Sequence, residues 1–138
     1  MSAHLGRVLV VDDNENNRDI LARRLTRNGY AVTMADSARN ILERISDEAV
    51  DLVLLDIEMP DMSGWDVLEE LKADPELSAI PVVMVTIVDH EALGLARGAA
   101  NYLMKPIDRD RLAVVLDKHC ARPDQQVPDL ALNYGGSR

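Results

Sequence analysis

The hydrophobic positions of this chain fall into two kinds of run. Four short stretches, Arg7 to Val11, Asp51 to Leu55, Pro81 to Val85 and Asn101 to Met104, are nearly continuous in apolar residues and rich in β-branched ones. A continuous run, unlike an alternating one, predicts a strand covered on both faces. A fifth stretch, Tyr30 to Ala35, follows Asn28-Gly29, where the glycine can close a helix in the left-handed conformation, and reads as an edge strand. Between the strands, apolar residues recur at helical spacing: Ile20, Leu21 and Leu25; Ile41, Leu42 and Ile45; Val67, Leu68 and Leu71; Leu112, Val115, Leu116 and His119. The fourth connection, about Asp89 to Arg97, is shorter and weakened by Gly94. Strand and helix thus alternate five times, which predicts an α/β domain with a parallel sheet, right-handed crossovers and helices on both faces. After Cys120 the composition shifts to Ala-Arg-Pro-Asp-Gln-Gln-Val-Pro-Asp, with Gly135-Gly136 near the end. One domain over residues 1–120 and a flexible tail over 121–138 are expected.

At 138 residues, one core without disulfide staples is feasible. Fifteen Lys and Arg against 24 Asp and Glu leave a net charge of −9, which repels phosphate backbones and anionic headgroups, so neither nucleic acid nor a membrane surface is an expected partner. Apolar residues at 47% and charged residues at 28% place the chain among globular proteins. Cys120 is the single cysteine and excludes an internal disulfide or a multi-cysteine zinc site. The start lacks the pattern of a signal peptide, and the longest apolar runs fall far short of the ~20 residues that span a bilayer, so a cytoplasmic location is expected.

In an open parallel sheet, ligands bind beyond the carboxyl ends of the strands, where strand order reverses. Here the first strand ends in Val11-Asp12-Asp13, the third in Leu55-Asp56, the fourth in Val85-Thr86 and the fifth in Met104-Lys105-Pro106. Each residue alone has an ordinary reading: a cap, a turn, a strand former, a solvated charge. Jointly, at the frequencies of these residue types in the chain, the five placements have a chance on the order of 10⁻⁶. Three adjacent carboxylates repel one another unless a cation neutralises them, and a hard divalent ion with oxygen ligands, Mg²⁺, fits that need. Mg²⁺ completes its shell with waters and phosphoryl oxygens, while Lys105 and the Thr86 hydroxyl suit the remaining oxygens of a phosphoryl group. The set points to phosphoryl transfer onto a carboxylate, with Asp56 as nucleophile.

Val-Leu-Val-Val-Asp-Asp-Asn, Leu-Leu-Asp-Ile-Glu-Met-Pro-Asp-Met-Ser-Gly, Pro-Val-Val-Met-Val-Thr and Tyr-Leu-Met-Lys-Pro-Ile also resemble, in order and approximate spacing, the motifs of response-regulator receiver domains of two-component signalling, such as the chemotaxis response regulator. The resemblance covers about residues 5–120. It implies a flavodoxin-like sheet of order 2-1-3-4-5, Asp56 as phosphoacceptor, and Mg²⁺ on Asp13, Asp56 and the Glu58 backbone carbonyl, with Asp12 acting mainly through a metal-bound water. It also implies that Thr86 and Lys105 contact the phosphoryl group, that the Lys105-Pro106 bond is cis, and that Tyr102 swings inward as Thr86 moves. A histidine kinase or histidine phosphotransfer protein would be the donor. A downstream protein, or a second copy of the chain, would read the surface of the fourth helix, fifth strand and fifth helix. The segment after residue 120 is too short for an output domain, so a receiver that stands alone or was excised from a hybrid kinase is expected.

Two positions depart from the pattern: Ile87 stands where receivers usually carry a small residue, and Glu58 adds a carboxylate two places after Asp56. Ile87 is expected to crowd the phosphoryl approach and Glu58 to change the rates. Trp65 reads as a packing residue; His4, His90 and His119 read as solvated histidines, and Cys120 as inert. Two rivals remain: a degenerate receiver serving only as a dimerisation or docking module, and a haloacid dehalogenase-type phosphatase, which also uses an aspartyl phosphate near a lysine.

Overall fold

The computed structural model describes residues 6–37, 41–59, 63–87 and 90–120. Along the chain run β1 (Arg7–Val11), α1 (Glu15–Arg27), β2 (Ala31–Ala35), α2 (Ile41–Asp47), β3 (Leu52–Asp56), α3 (Gly64–Ala73), β4 (Val82–Thr86), α4 (Glu91–Ala96), β5 (Asn101–Met104) and α5 (Arg109–Cys120). All strand pairs are parallel and the order is β2-β1-β3-β4-β5, with β2 at an edge. The expected tail, 121–138, lies outside the described residues, as do His4, Asp89 and the side chain of Cys120.

The continuous apolar runs have a direct explanation. Along β1, Leu9 and Val11 join a core with Ile45, Leu68 and Leu71, whereas Val8 and Val10 join another with Leu21, Leu25, Leu112 and Leu116. Alternate residues therefore enter opposite cores, one beneath α2 and α3 and one beneath α1 and α5, and neither face can be polar. Local signals set the helix ends. The Asn14 side chain accepts from the Asn17 N–H to start α1, and Ser63 accepts from the Trp65 N–H to start α3. Gly29, at φ 93°, follows α1 in the left-handed region, as Asn28-Gly29 predicts. In α4 the buried residue is Gly94, so this short helix approaches the sheet through its backbone.

Two strands sit one residue later than their apolar runs indicate. β3 ends on Asp56 and β4 on Thr86, and Asp56 still pairs with Val85 in the ladder. The polar side chains are thus carried by the sheet itself and not by a loop. His119 departs from the expected solvated state: it is half-buried on α5, its Nε2 has no partner, and burial, with Lys118 nearby, lowers its pKa. His90 is exposed, as expected, and Trp65 packs against the core with the Arg97 guanidinium 5.3 Å from its ring centroid.

Candidate functional site

At the carboxyl end of the sheet, β1 and β3 are neighbours while their following connections pass to opposite faces, so a crevice opens above them. Asp12 leaves β1 with its N–H on the Ala35 carbonyl at 3.1 Å, which fixes its backbone as an extension of the strand. Its carboxylate accepts from the Asn14 N–H at 2.8 Å, and Arg18 Nη1 holds its carbonyl at 2.8 Å. Asp12 is buried, whereas Asp13 is exposed. Carboxylate oxygens of Asp12, Asp13 and Asp56 lie within 4.8 Å of one another. This spacing and the all-oxygen donor set fit a hard divalent cation.

Asp56 is buried at the end of β3, and its Oδ1 accepts from the Glu58 N–H at 3.3 Å. The Lys105 ammonium reaches it at 3.3 Å and reaches Asp12 Oδ2 at 3.5 Å. Burial, reinforced by the Asp12 charge, pushes the Asp56 pKa up to about 6 despite that ammonium. For Lys105 burial opposes the charge, but Asp56 and Asp12 outweigh it and the pKa rises. The Lys105 N–H donates to the Thr86 carbonyl at 2.8 Å, and the Lys105-Pro106 bond is cis, as expected. Beside this group a cleft of ≈ 340 Å³ is lined by Asp12, Ile20, Arg24, Ile87, Lys105 and Ile107, among others. Ile87, 68% exposed, stands at its rim.

Thr86 is fully buried, and its hydroxyl donates to the Glu58 carboxylate. Tyr102 is 2% exposed, with its hydroxyl accepting from the His90 N–H at 2.9 Å and Arg111 Nη2 on its carbonyl at 3.3 Å. The ring is therefore already inside, so the inward swing implied by the resemblance has no outward starting point here. The sheet brings together Asp12, Asp13, Asp56 and Lys105. Thr86 stands one strand across, engaged by Glu58.

Sequence reasoning marked Glu58 as an extra charge and, through its backbone carbonyl, as a metal ligand; the link of its side chain to Thr86 depends on tertiary placement, which no local pattern encodes. Arg18 went unmarked, although it lies four residues after the α1 cap and so one turn above Asp12.

The family model for the response regulator receiver domain matches residues 8–117. Protein PilH of Pseudomonas aeruginosa is 36% identical over 111 residues, covering 78% of this chain and 92% of that protein. The transcriptional regulatory protein ZraR of Escherichia coli is 38% identical over 136 residues, 94% of this chain, but the chain spans 30% of ZraR. Among solved structures, the chemotaxis protein CheY4 of Vibrio cholerae superposes with a TM-score of 0.76 at 26% identity, covering 83% of this chain and 98% of that one. With the sheet order, the strand-end carboxylates and the lysine followed by a cis proline already in place, the chain belongs to the response regulator receiver domain family.

Proposed function

We propose that this chain is a phosphoacceptor switch, taking a phosphoryl group from a phosphohistidine onto Asp56. The observation that carries the reading is the buried Asp56 carboxylate bridged by Lys105 to Asp12, beside Asp13. Receiver domains interact with histidine kinases or phosphotransfer proteins, and they bind Mg²⁺ at an acidic pocket. Asp12, Asp13 and Asp56, with the Glu58 carbonyl, would hold Mg²⁺ here. When bound, it supplies charge neutralisation for the incoming phosphoryl oxygens and the carboxylates.

The chemistry is an in-line displacement. An Asp56 oxygen attacks phosphorus, the P–O bond forms as the P–N bond to imidazole breaks, and the electron pair leaves on the histidine nitrogen. Lys105 offers N–H donors at the strand end to the transferring oxygens. Asp12 holds Lys105 in place from the other side. The cleft rimmed by Ile20 and Ile87 opens beside Lys105, which suits it to an apolar helix surface presenting the histidine.

Output is proposed through α4, β5 and α5, which expose Leu93, Leu95, Met104 and Val114 to a downstream protein or a second copy of the chain. No described helix is long and apolar enough to cross a membrane, and a cytoplasmic site of action accords with the phosphohistidine donor. A haloacid dehalogenase-type phosphatase is set aside by the family match.

Incubation with Mg²⁺ and acetyl phosphate tests the reading: one phosphoryl adduct is expected, and Asp56→Asn abolishes it. An unlabelled wild type, or labelling that survives Asp56→Asn, overturns it.

A further inference from the structure

The Glu58 carboxylate accepts the Thr86 hydroxyl, the group that the phosphoacceptor reading assigns to a phosphoryl oxygen. We propose that Glu58 is an internal latch: its carboxylate occupies the Thr86 hydroxyl and holds β4 and Tyr102 in the inward arrangement before any phosphorylation, so that a phosphoryl group on Asp56 has to displace it. This rests on the phosphoacceptor reading only in its second half.

The chemistry of the hydroxyl makes the two partners exclusive. A threonine has one O–H and can donate it once, and here the donation goes to a carboxylate, an anion like the phosphoryl group. Glu58 is anchored for the task. Its backbone N–H is held on Asp56 Oδ1, and the neighbouring Ile57 carbonyl accepts from the Gly64 N–H at 3.0 Å. The Glu58 side chain is exposed apart from this contact, so losing it opens no cavity in the core. Thr86 lies directly opposite Met104 in the β4–β5 register, and Met84 opposite Tyr102, so the hydroxyl and the ring project from adjacent strands of one ladder. The ring in turn is fastened by the His90 N–H and lies against Gly94 of α4. An anion fixed on Thr86 therefore sets the same ladder that a phosphoryl group would set. Glu58 acts as a positioning residue, through Thr86.

Nuclear magnetic resonance of the metal-free protein reads the latch directly. In Glu58→Ala the Thr86 methyl and Tyr102 ring resonances are expected to move away from their wild-type positions, whereas Glu58→Gln, which retains an acceptor, keeps them close. Beryllofluoride with Mg²⁺ is then titrated as a phosphoryl mimic, and Glu58→Ala is expected to bind it about tenfold more tightly than wild type, with Glu58→Gln between them. Unchanged Thr86 and Tyr102 resonances in Glu58→Ala overturn the latch. Equal tightening in the Ala and Gln variants with those resonances fixed also overturns it, since removal of like charge alone then accounts for the gain. If no variant binds beryllofluoride, the phosphoacceptor reading fails, while the metal-free spectra still decide the latch.

Discussion

Lys105 stands 3.3 Å from Asp56, yet the ion pair does not bring this carboxylate into its ordinary range. The same ammonium is shared with Asp12 at 3.5 Å, and burial of Asp56 plus the Asp12 charge outweigh what half of a cation returns. The site thus carries an unmet demand for positive charge, and the strand ends hold that demand in a fixed place. A flexible loop would relieve it by moving apart; a ladder cannot.

Ionising Asp56 should therefore oppose folding at neutral pH. Its folded pKa of about 6 lies above the ordinary value of 3.8, so the native state binds the proton more tightly. The stability this provides is fully present below the lower value and is lost as pH rises through the upper one. At 1.36 kcal/mol per pKa unit the limit is ~3 kcal/mol. Urea unfolding in EDTA is expected to show Asp56→Asn more stable than wild type by ~1–3 kcal/mol at about pH 7.5, with little difference near pH 4. A variant less stable than wild type at the higher pH would contradict the electrostatic account.

Asp13 contributes to the acidic cluster from an exposed position, so its carboxylate can be removed without a hole in the core. Asp13→Ala is expected to unfold within ~0.5 kcal/mol of wild type in EDTA but to lose about tenfold or more in Mg²⁺ affinity. Titration calorimetry, or Trp65 fluorescence during the same titration, gives the affinity. Equal Mg²⁺ binding would remove Asp13 from the metal set.

Ile87 is 68% exposed at the cleft rim and offers no oxygen ligand to the cluster of Asp12, Asp13 and Asp56. Ile87→Ala should leave Mg²⁺ affinity and stability within ~0.5 kcal/mol while raising the rate of labelling by acetyl phosphate severalfold. Identical labelling rates would show that its bulk does not limit access.

Most of the architecture was legible because both-face burial forces continuous apolar runs, and Val8 to Val11 divide between the two cores as such a run requires. The apolar runs stop one residue short of the strands because Asp56 and Thr86 are polar, although both remain in the sheet, as the strand-end reading of these residues requires. The candidate site was legible as residue types at strand ends. What the sequence left hidden were contacts set by tertiary placement: Thr86 with Glu58, 28 positions apart, and His90 with Tyr102. His119 fits the apolar spacing of α5, and its half-buried ring agrees with that pattern better than with its usual solvated role.

Gly64 begins α3 directly beneath the chain leaving β3. A Cβ there would lie 2.7 Å from the Asp56 carbonyl oxygen and 2.7 Å from the Ile57 Cα, both backbone atoms that cannot swing aside. Gly64→Ala is expected to cost ~2–3 kcal/mol in urea unfolding, even though alanine is the better helix former. Since the displaced segment carries Glu58, Mg²⁺ affinity should fall as well. An unchanged or raised stability would mean that the α3 start shifts freely.

Gly94 presents the opposite balance, because its neighbour is a side chain. Alanine in the middle of α4 gains ~1 kcal/mol of helix propensity, and this six-residue helix has little else in its favour. Against that, a Cβ would meet Tyr102 Cδ2 at 2.9 Å and Cε2 at 3.2 Å. The ring could yield if it were loose, but its hydroxyl is held by the His90 N–H and the side chain is buried. Moving it breaks that hydrogen bond or pushes into packed core, at ~1–3 kcal/mol. The net expectation for Gly94→Ala is a loss of ~1 kcal/mol in thermal or urea unfolding, with the largest amide shifts at His90 and along β5. The double variant Gly94→Ala with Tyr102→Ala separates the terms: once the ring is gone, the Gly94 substitution should become stabilising by its propensity alone. If the single variant is already stabilising and the His90 amide does not move, the ring retreats without cost, and Tyr102 is not the fixed inward element that the structure presents.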